Sequence, residues 1–281
     1  VIFEEMKMYR DNPRLYVFEG IQKSLYGEPF GTPLIGTKES MNSITRETML
    51  KKFKETYYPS NMVLCVVGDA EFEKICNFVE KNFPSSKGEI QKLKVKEQNK
   101  EQIEKRKGID QANLVFAYHI PKSKDKLNYA AQVLITLMAG GMSSRLFSEI
   151  REKRNLAYSI KGSSDIMKDY SHTLIYAGTT KENVEKVRKL ILEEFKKVSK
   201  ELTERELKEA KEQLIGNHQI AMEDSQIQMV NLLMHEIDGN AKDFYDFENR
   251  IKNVKLEEVK KLAGKVKEGN YSFFALVPED Q

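Results

Sequence analysis

A stretch of almost wholly charged and polar residues, SSKGEIQKLKVKEQNKEQIEKRKG at 85–108, divides this chain into two parts. It offers few side chains for a core, so it is typical of a solvated linker with room for one edge strand. A chain of 281 residues is long enough for about two domains. We therefore predict that residues 1–92 belong to a first domain, 93–108 form a charged linker, and 109–281 form a second domain.

Each of the two parts mixes helical patterns with apolar strands. Before the linker, apolar spacing predicts helices at 1–10, 14–25, 43–57 and 71–83, and the run NMVLCVVGD at 61–69 predicts a buried strand. After it, strands are predicted at 111–121, 156–166, 171–180 and 270–278, and helices at 126–139, 145–154, 182–200, 203–222, 225–238 and 255–267. The mixture predicts an α+β class with helices packed on sheets.

The charge and apolar content exclude two classes of partner. Lys+Arg number 46 and Asp+Glu 43, so a net charge of +3 argues against a nucleic-acid binder. No apolar run reaches the ~20 residues that a membrane span needs. The two cysteines, Cys65 and Cys76, form no CxxC pair and are interpreted as small buried hydrophobes in a reducing compartment. We expect a cytoplasmic protein without nucleic-acid or membrane partners.

One glutamate of the opening segment VIFEEMKMYRDNP is out of place. On a helical wheel Glu5 falls near the middle of an arc of five apolar residues, Val1, Ile2, Met6, Met8 and Tyr9. A carboxylate there is costly unless it is paired, hydrogen-bonded or bound to a cation. Two interpretations stay open: Glu5 pairs with a basic side chain or faces solvent, or it is a metal ligand or catalytic carboxylate.

The histidines do not form a metal motif. No two of the four lie three to five residues apart, so the chain lacks HxxEH and HExxH, and it also lacks a P-loop and GxSxG. Surface or hydrogen-bonded core positions are therefore the prediction for His119, His172, His218 and His235.

Three stretches together resemble a known family. They are VIFEEMKM, YGEPFGTPLIGTKESMNSITRETMLKKFKETYYPSNMVLCVVGD and GGMSSRLFSEIREKRNLAYSIKGSS, in that order along nearly the whole chain. They resemble the pitrilysin-like zinc peptidases, or inverzincins, which include insulysin and the mitochondrial processing peptidase. The resemblance implies two homologous α/β-sandwich domains, the first of them truncated at its N-terminus in this chain.

The resemblance also implies a metal ligand. In that family, two histidines of HxxEH and a later glutamate hold zinc, and VIFEE aligns so that Glu5 is that glutamate. Two histidines and one glutamate leave a fourth zinc position for water. Since HxxEH is absent from this sequence, we expect a fragment of a longer protein that alone has neither a tight zinc site nor peptidase activity.

Two further site residues follow from the resemblance. In LFSEIREKRNLAYSI, Arg151 and Tyr158 match the Arg–Tyr pair that the family's second domain brings to the substrate, where both can stabilise charge on the scissile carbonyl. From the residues alone, an arginine paired with a carboxylate and a core aromatic are the alternatives. Gly140 and Gly141 predict a tight turn before a serine cap.

The function implied is a zinc-dependent endopeptidase acting on peptides or unfolded polypeptides, held as an added strand on a sheet edge. The alternative is a non-catalytic homologue that serves as a scaffold or as the partner subunit of a two-chain peptidase. A homo- or hetero-dimer is compatible with both.

Overall fold

The computed structural model describes residues 1–84, 88 and 93–279, and its strands form a five-stranded mixed sheet. Its strands are β1 (Glu101–Arg106), β2 (Ala112–His119), β3 (Ala157–Ile166), β4 (Ser171–Thr179) and β5 (Ser272–Pro278), in the order β1-β5-β2-β4-β3. β1 and β5 are parallel, and the other neighbours are antiparallel. β1 and β3 are therefore the edge strands of this sheet.

Nine of the described α-helices lie close to the predicted ranges, and two short ones, Lys38–Ser43 and Phe247–Lys252, were not predicted. Those of the described residues are α1 (Ile2–Asp11), α2 (Pro13–Leu25), α3 (Lys38–Ser43), α4 (Arg46–Thr56), α5 (Phe72–Asn82), α6 (Asn128–Ala139), α7 (Val184–Glu201), α8 (Glu204–Ala221), α9 (Ser225–Asp238), α10 (Phe247–Lys252) and α11 (Leu256–Ala263). The α+β class is confirmed. In the part of the chain that the structure describes, no helix combines the length and apolarity needed to cross a membrane.

The chain folds as two compact units that differ from the predicted segments. The first comprises Val1–Ile35, Val95–Ile215 and Asn249–Gln281, and the second comprises Gly36–Lys94 and Gly216–Glu248. All five strands belong to the first unit. The boundaries 1–92 and 109–281 remain predictions. Within the predicted linker, β1 is the edge strand that its composition allowed, whereas 85–87 and 89–92 lie outside the described residues.

Strand β2 is buried because helices cover both faces of the sheet. Val115 and Ala117 pack in one cluster with Val17 and Ile21 of α2. On the opposite face the Phe116 ring stacks on Phe195 of α7, and α11 contacts both α6 and α7. A strand covered on both sides carries a nearly continuous apolar run, as residues 114–118 do.

Two glycines in helix interiors give a matched test of this packing. A Cβ at Gly20 of α2 would lie 2.5 Å from the ring of Phe274, which is 1% exposed, whereas a Cβ at Gly216 of α8 meets nothing within 4 Å. We expect Gly20→Ala to destabilise by about 1–3 kcal/mol through overpacking. Gly216→Ala should stabilise by about 0.5–1 kcal/mol through helix propensity. Thermal unfolding of both variants measures this, and shifts of the same sign would contradict it.

The buried strand predicted at 61–69 is wrong. No described strand pairs with this segment, and Val63, Leu64 and Val66 are 51%, 61% and 50% exposed. Apolar sequence alone cannot form a strand, because its backbone groups need a hydrogen-bonded neighbour and its faces need cover. Cys65 and Cys76, predicted as buried, are each only half-buried.

Local signals at helix ends were reliable. Thr45 and Thr48 exchange side-chain to backbone hydrogen bonds at the start of α4, at 2.9 and 3.2 Å. Thr203 and Glu206 do the same at the start of α8, at 3.1 and 3.3 Å. Both capping interactions depend only on residues three apart, so they are encoded locally in the sequence.

Candidate functional site

The segment between α6 and β3 carries the two predicted substrate-contacting residues and begins with a glycine turn. Gly140 ends α6, and Gly141 has a φ of +155°, a value that side-chain-bearing residues rarely adopt. The Ser144 hydroxyl donates to the Gly141 carbonyl at 2.6 Å, so it closes the turn instead of capping a helix N–H. The predicted tight turn is therefore present, and the Ser144 hydroxyl closes it.

A charged network fixes this turn to α7 and α8. The Arg145 guanidinium donates to Glu206 Oε1 at 3.0 and 2.5 Å and to Glu194 Oε2 at 3.4 Å. Gln213 Nε2 donates to the Gly140 carbonyl at 2.9 Å. No local sequence pattern predicts these contacts, since the partners are far apart along the chain.

The predicted amphipathic helix at 145–154 is a π-helix, Phe147–Glu152. The Lys153 N–H bonds to the Ser148 carbonyl five residues earlier, at 2.9 Å. Asn155, with a φ of +55°, then turns the chain into β3. Wide helical turns of this kind are frequently found at functional sites.

Arg151 lies on the π-helix with its guanidinium exposed. Its Cζ is 4.9 Å from the centroid of the Phe147 ring, close enough for a cation–π contact. Within the described residues it has no carboxylate partner, whereas the neighbouring Arg154 pairs with Glu149 at 2.5 Å. The alternative that Arg151 only balances a carboxylate therefore does not describe this structure.

Tyr158 is the second residue of β3 and is 64% exposed, while Ala157 and Ile160 of the same strand are buried. A register shift between Ala157 and Ser159 places Tyr158 in a β-bulge. Bulges redirect side chains and occur next to active sites. Tyr158 is thus not a core aromatic, and its phenol is open to a ligand. The π-helix that carries Arg151 contacts β3, so the structure holds both residues on adjoining elements.

The acid stability of the π-helix depends on Glu149. Hydrogen bonds from Lys153 and then Arg154 lower the pKa of Glu149 from 4.5 to about 2. A carboxyl group with a lowered folded-state pKa stabilises fully above pH 4.5, and this contribution is lost as the pH falls toward about 2. We expect Glu149→Gln to flatten the decline of the unfolding free energy across this window. Urea titrations at several pH values measure it, and an unchanged slope would contradict the assignment.

Glu5 lies exposed on α1, and no residue of α1 is buried. The apolar arc of the helical wheel is therefore not a buried face, which removes the energetic cost that made Glu5 unusual. Among the described residues, no group of three or more His, Cys, Asp or Glu side chains could hold a metal ion. A zinc site takes at least three protein ligands. The residues described here do not by themselves fit zinc.

The chain is similar to proteins described as peptidases. The family model for the peptidase M16 inactive domain matches residues 43–214. An uncharacterized zinc protease of Bacillus subtilis is 29% identical over 99% of this chain and 69% of its own length. One from Rickettsia felis is 31% identical over 79% of this chain and 55% of its own length. The chain thus spans little more than half of the second relative.

Solved structures share the fold. A protease from Helicobacter pylori superposes with a TM-score of 0.86 at 23% identity, covering 99% of this chain and 70% of that one. A chain of complex III2 from Candida albicans gives a TM-score of 0.89 at 18% identity, covering 99% and 69%. At these identities the likeness concerns the fold alone. Because the family model matches more than half of its residues, this chain belongs to the pitrilysin-like peptidase M16 family.

Proposed function

We propose that the complete protein is a zinc-dependent endopeptidase and that this chain supplies its substrate-facing donors, Arg151 and Tyr158. The observation that carries the proposal is that both side chains are exposed on adjoining elements. Both elements follow a turn that the Arg145 hydrogen bonds hold in place. Exposed donors held on rigid supports are suited to binding a ligand without large reorganisation.

The chemistry of the two side chains fits peptide hydrolysis. Attack on a peptide bond builds negative charge on the carbonyl oxygen, and a guanidinium and a phenol both donate hydrogen bonds to such an oxygen. The guanidinium of Arg151 offers a positive charge in a planar arrangement of donors. Tyr158 offers a phenol O–H donor, and the β-bulge sets the direction of its side chain.

The sheet edge beside Tyr158 fits an extended peptide. β3 is an edge strand and Tyr158 lies near its start. An edge strand presents unpaired backbone groups to which a peptide can add as a further strand. This supports a peptide or unfolded polypeptide as the substrate, since a folded protein rarely offers a free extended segment.

We include zinc in this proposal because the relatives are described as zinc proteases. Glu5 is the ligand that this chain would contribute. The remaining ligands must come from outside the described residues, because these residues bring no such cluster together.

A second candidate function is a non-catalytic scaffold or the partner subunit of a two-chain peptidase. The description of the matching family model as an inactive domain favours it. The exposed apolar side chains at 62–66 also support a protein partner, as in a homo- or hetero-dimer. A cytoplasmic location, proposed from the unpaired cysteines, accords with both functions.

Cleavage of an unstructured peptide by the complete protein distinguishes the two. The endopeptidase proposal expects cleavage that a chelator abolishes and added zinc restores. No cleavage under any metal condition, together with stable association with a catalytic subunit, would instead identify the scaffold.

A further inference from the structure

A cavity of about 700 Å³ opens in the first unit at the end of β2, away from Tyr158. Lys168, which lines it, follows β3 at the end opposite to Tyr158. A ten-residue strand spans roughly 30 Å, so this cavity is separate from the site proposed above. Its size lies within the range of roughly 300–1,000 Å³ that is typical of small-molecule sites.

The cavity wall is positively charged. Four lysines line it, Lys122, Lys124, Lys168 and Lys265, against two carboxylates, Glu97 and Asp125.

Each of the two carboxylates already has a partner within the protein. Glu97 pairs with Lys122 at 4.0 Å, and Asp125 Oδ1 accepts the Leu127 N–H at 2.9 Å. In the described part of the chain, the ammonium groups of Lys124 and Lys168 have no carboxylate partner, and neither has that of Lys265. Positive charge is therefore in excess at the mouth of the cavity, which favours an anion.

The interior of the cavity is mostly apolar, and Tyr118, His119 and Asn270 add polar groups to its lining. Its apolar lining is drawn from the end of β2, from α6 and from α11 with the residues after it: Ile120, Pro121, Ala131, Leu134, Leu262 and Val266. Tyr118 also lines it and is only 3% exposed. Its hydroxyl is buried and makes no hydrogen bond of normal geometry with the described residues; the nearby Thr173 hydroxyl is bonded to Ser164 at 2.8 Å. Burial raises the pKa of this phenol, so it stays a donor.

A buried donor without a partner destabilises the fold, and a ligand acceptor would satisfy it. We propose that this cavity binds a small amphipathic anion. Its acid group, a carboxylate or a phosphate monoester, contacts the lysines. Its apolar body of about the length of an octyl chain lies against the walls from α6 and α11, where Tyr118 can donate to an oxygen.

Isothermal titration of the 281-residue chain with octyl phosphate and with octanoate, both below their micelle concentrations, tests the proposal. Octyltrimethylammonium supplies the same tail with the opposite charge, and inorganic phosphate supplies the charge without the tail. We expect binding of at least one octyl anion, with each control at least tenfold weaker. The tighter of the two anions identifies the acid group.

Charge reversal at exposed positions locates the site without disturbing the core. Lys168→Glu with Lys265→Glu should weaken the octyl anion at least tenfold. The control Lys186→Glu with Lys189→Glu makes the same charge change on exposed positions of α7 and should leave affinity within twofold. Equal binding of the cationic and anionic tails, equal weakening by both double variants, or no binding of either octyl anion at millimolar concentration would overturn the proposal.

Discussion

Replacing Tyr158 by Phe or Arg151 by Ala is expected to slow peptide cleavage by the complete protein about a hundredfold while leaving its zinc content unchanged. Each change removes one donor to the developing oxyanion, and loss of such a donor costs at least about 2.7 kcal/mol in other enzymes. The exposure of both side chains means that neither change leaves a hole in the core. The loss should fall mainly in kcat if the contacts form in the transition state.

Three comparisons separate catalysis from folding and metal binding. Glu5→Gln should instead lower the zinc content, because an amide is a weaker ligand than a carboxylate for a dication. Arg205→Ala and Tyr245→Phe, at side chains that are 86% and 75% exposed, are matched controls that should cleave at the wild-type rate. Cleavage at the wild-type rate by both Tyr158→Phe and Arg151→Ala would show that the second-domain assignment is wrong.

Replacing Arg145 by Ala is expected to lower the free energy of unfolding by about 3 kcal/mol, because breaking a buried ion pair leaves one charge uncompensated. The Glu194 carboxylate is only 3% exposed and lies 3.4 Å from the guanidinium. Lys197 still pairs with Glu194 at 2.6 Å, which places the expected loss at the low end of the usual range. The pKa of Glu206, which burial raises, is lowered on balance by hydrogen bonds from Thr203 and by Arg145.

The surface pair of Arg205 and Glu209 is the control for this prediction. The same arginine-to-alanine change there removes an exposed pair at 2.9 Å and should cost less than about 1 kcal/mol. Replacing Glu194 by Gln in the Arg145→Ala background should recover part of the stability, since it removes the orphaned charge. Urea unfolding measures all four proteins, and equal losses for the two arginine variants would contradict the burial argument.

The resemblance named Arg151 and Tyr158, but the sequence could not decide between site and structural roles for them. Tyr158 shares an alternation with Leu156 and Ile160, which predicts an inward side chain. The bulge at 157–159 removes that alternation and leaves Tyr158 exposed. A bulge depends on how β3 pairs with β4, so it is a property of two strands and not of one local pattern.

The sequence by itself determined the elements whose signals are local. Helix α4 and helix α8 begin close to their predicted starts, at capping residues, and β2 lies within the predicted strand 111–121. Contacts between residues three or four apart and the burial preference of each residue depend on neighbouring positions. Only the tertiary structure decided that 61–69 is not a buried strand, and only it formed the network around Arg145 and the lysine-lined cavity. Each of these depends on partners distant in sequence, and a side chain's burial or pairing is fixed by what the folded chain brings beside it.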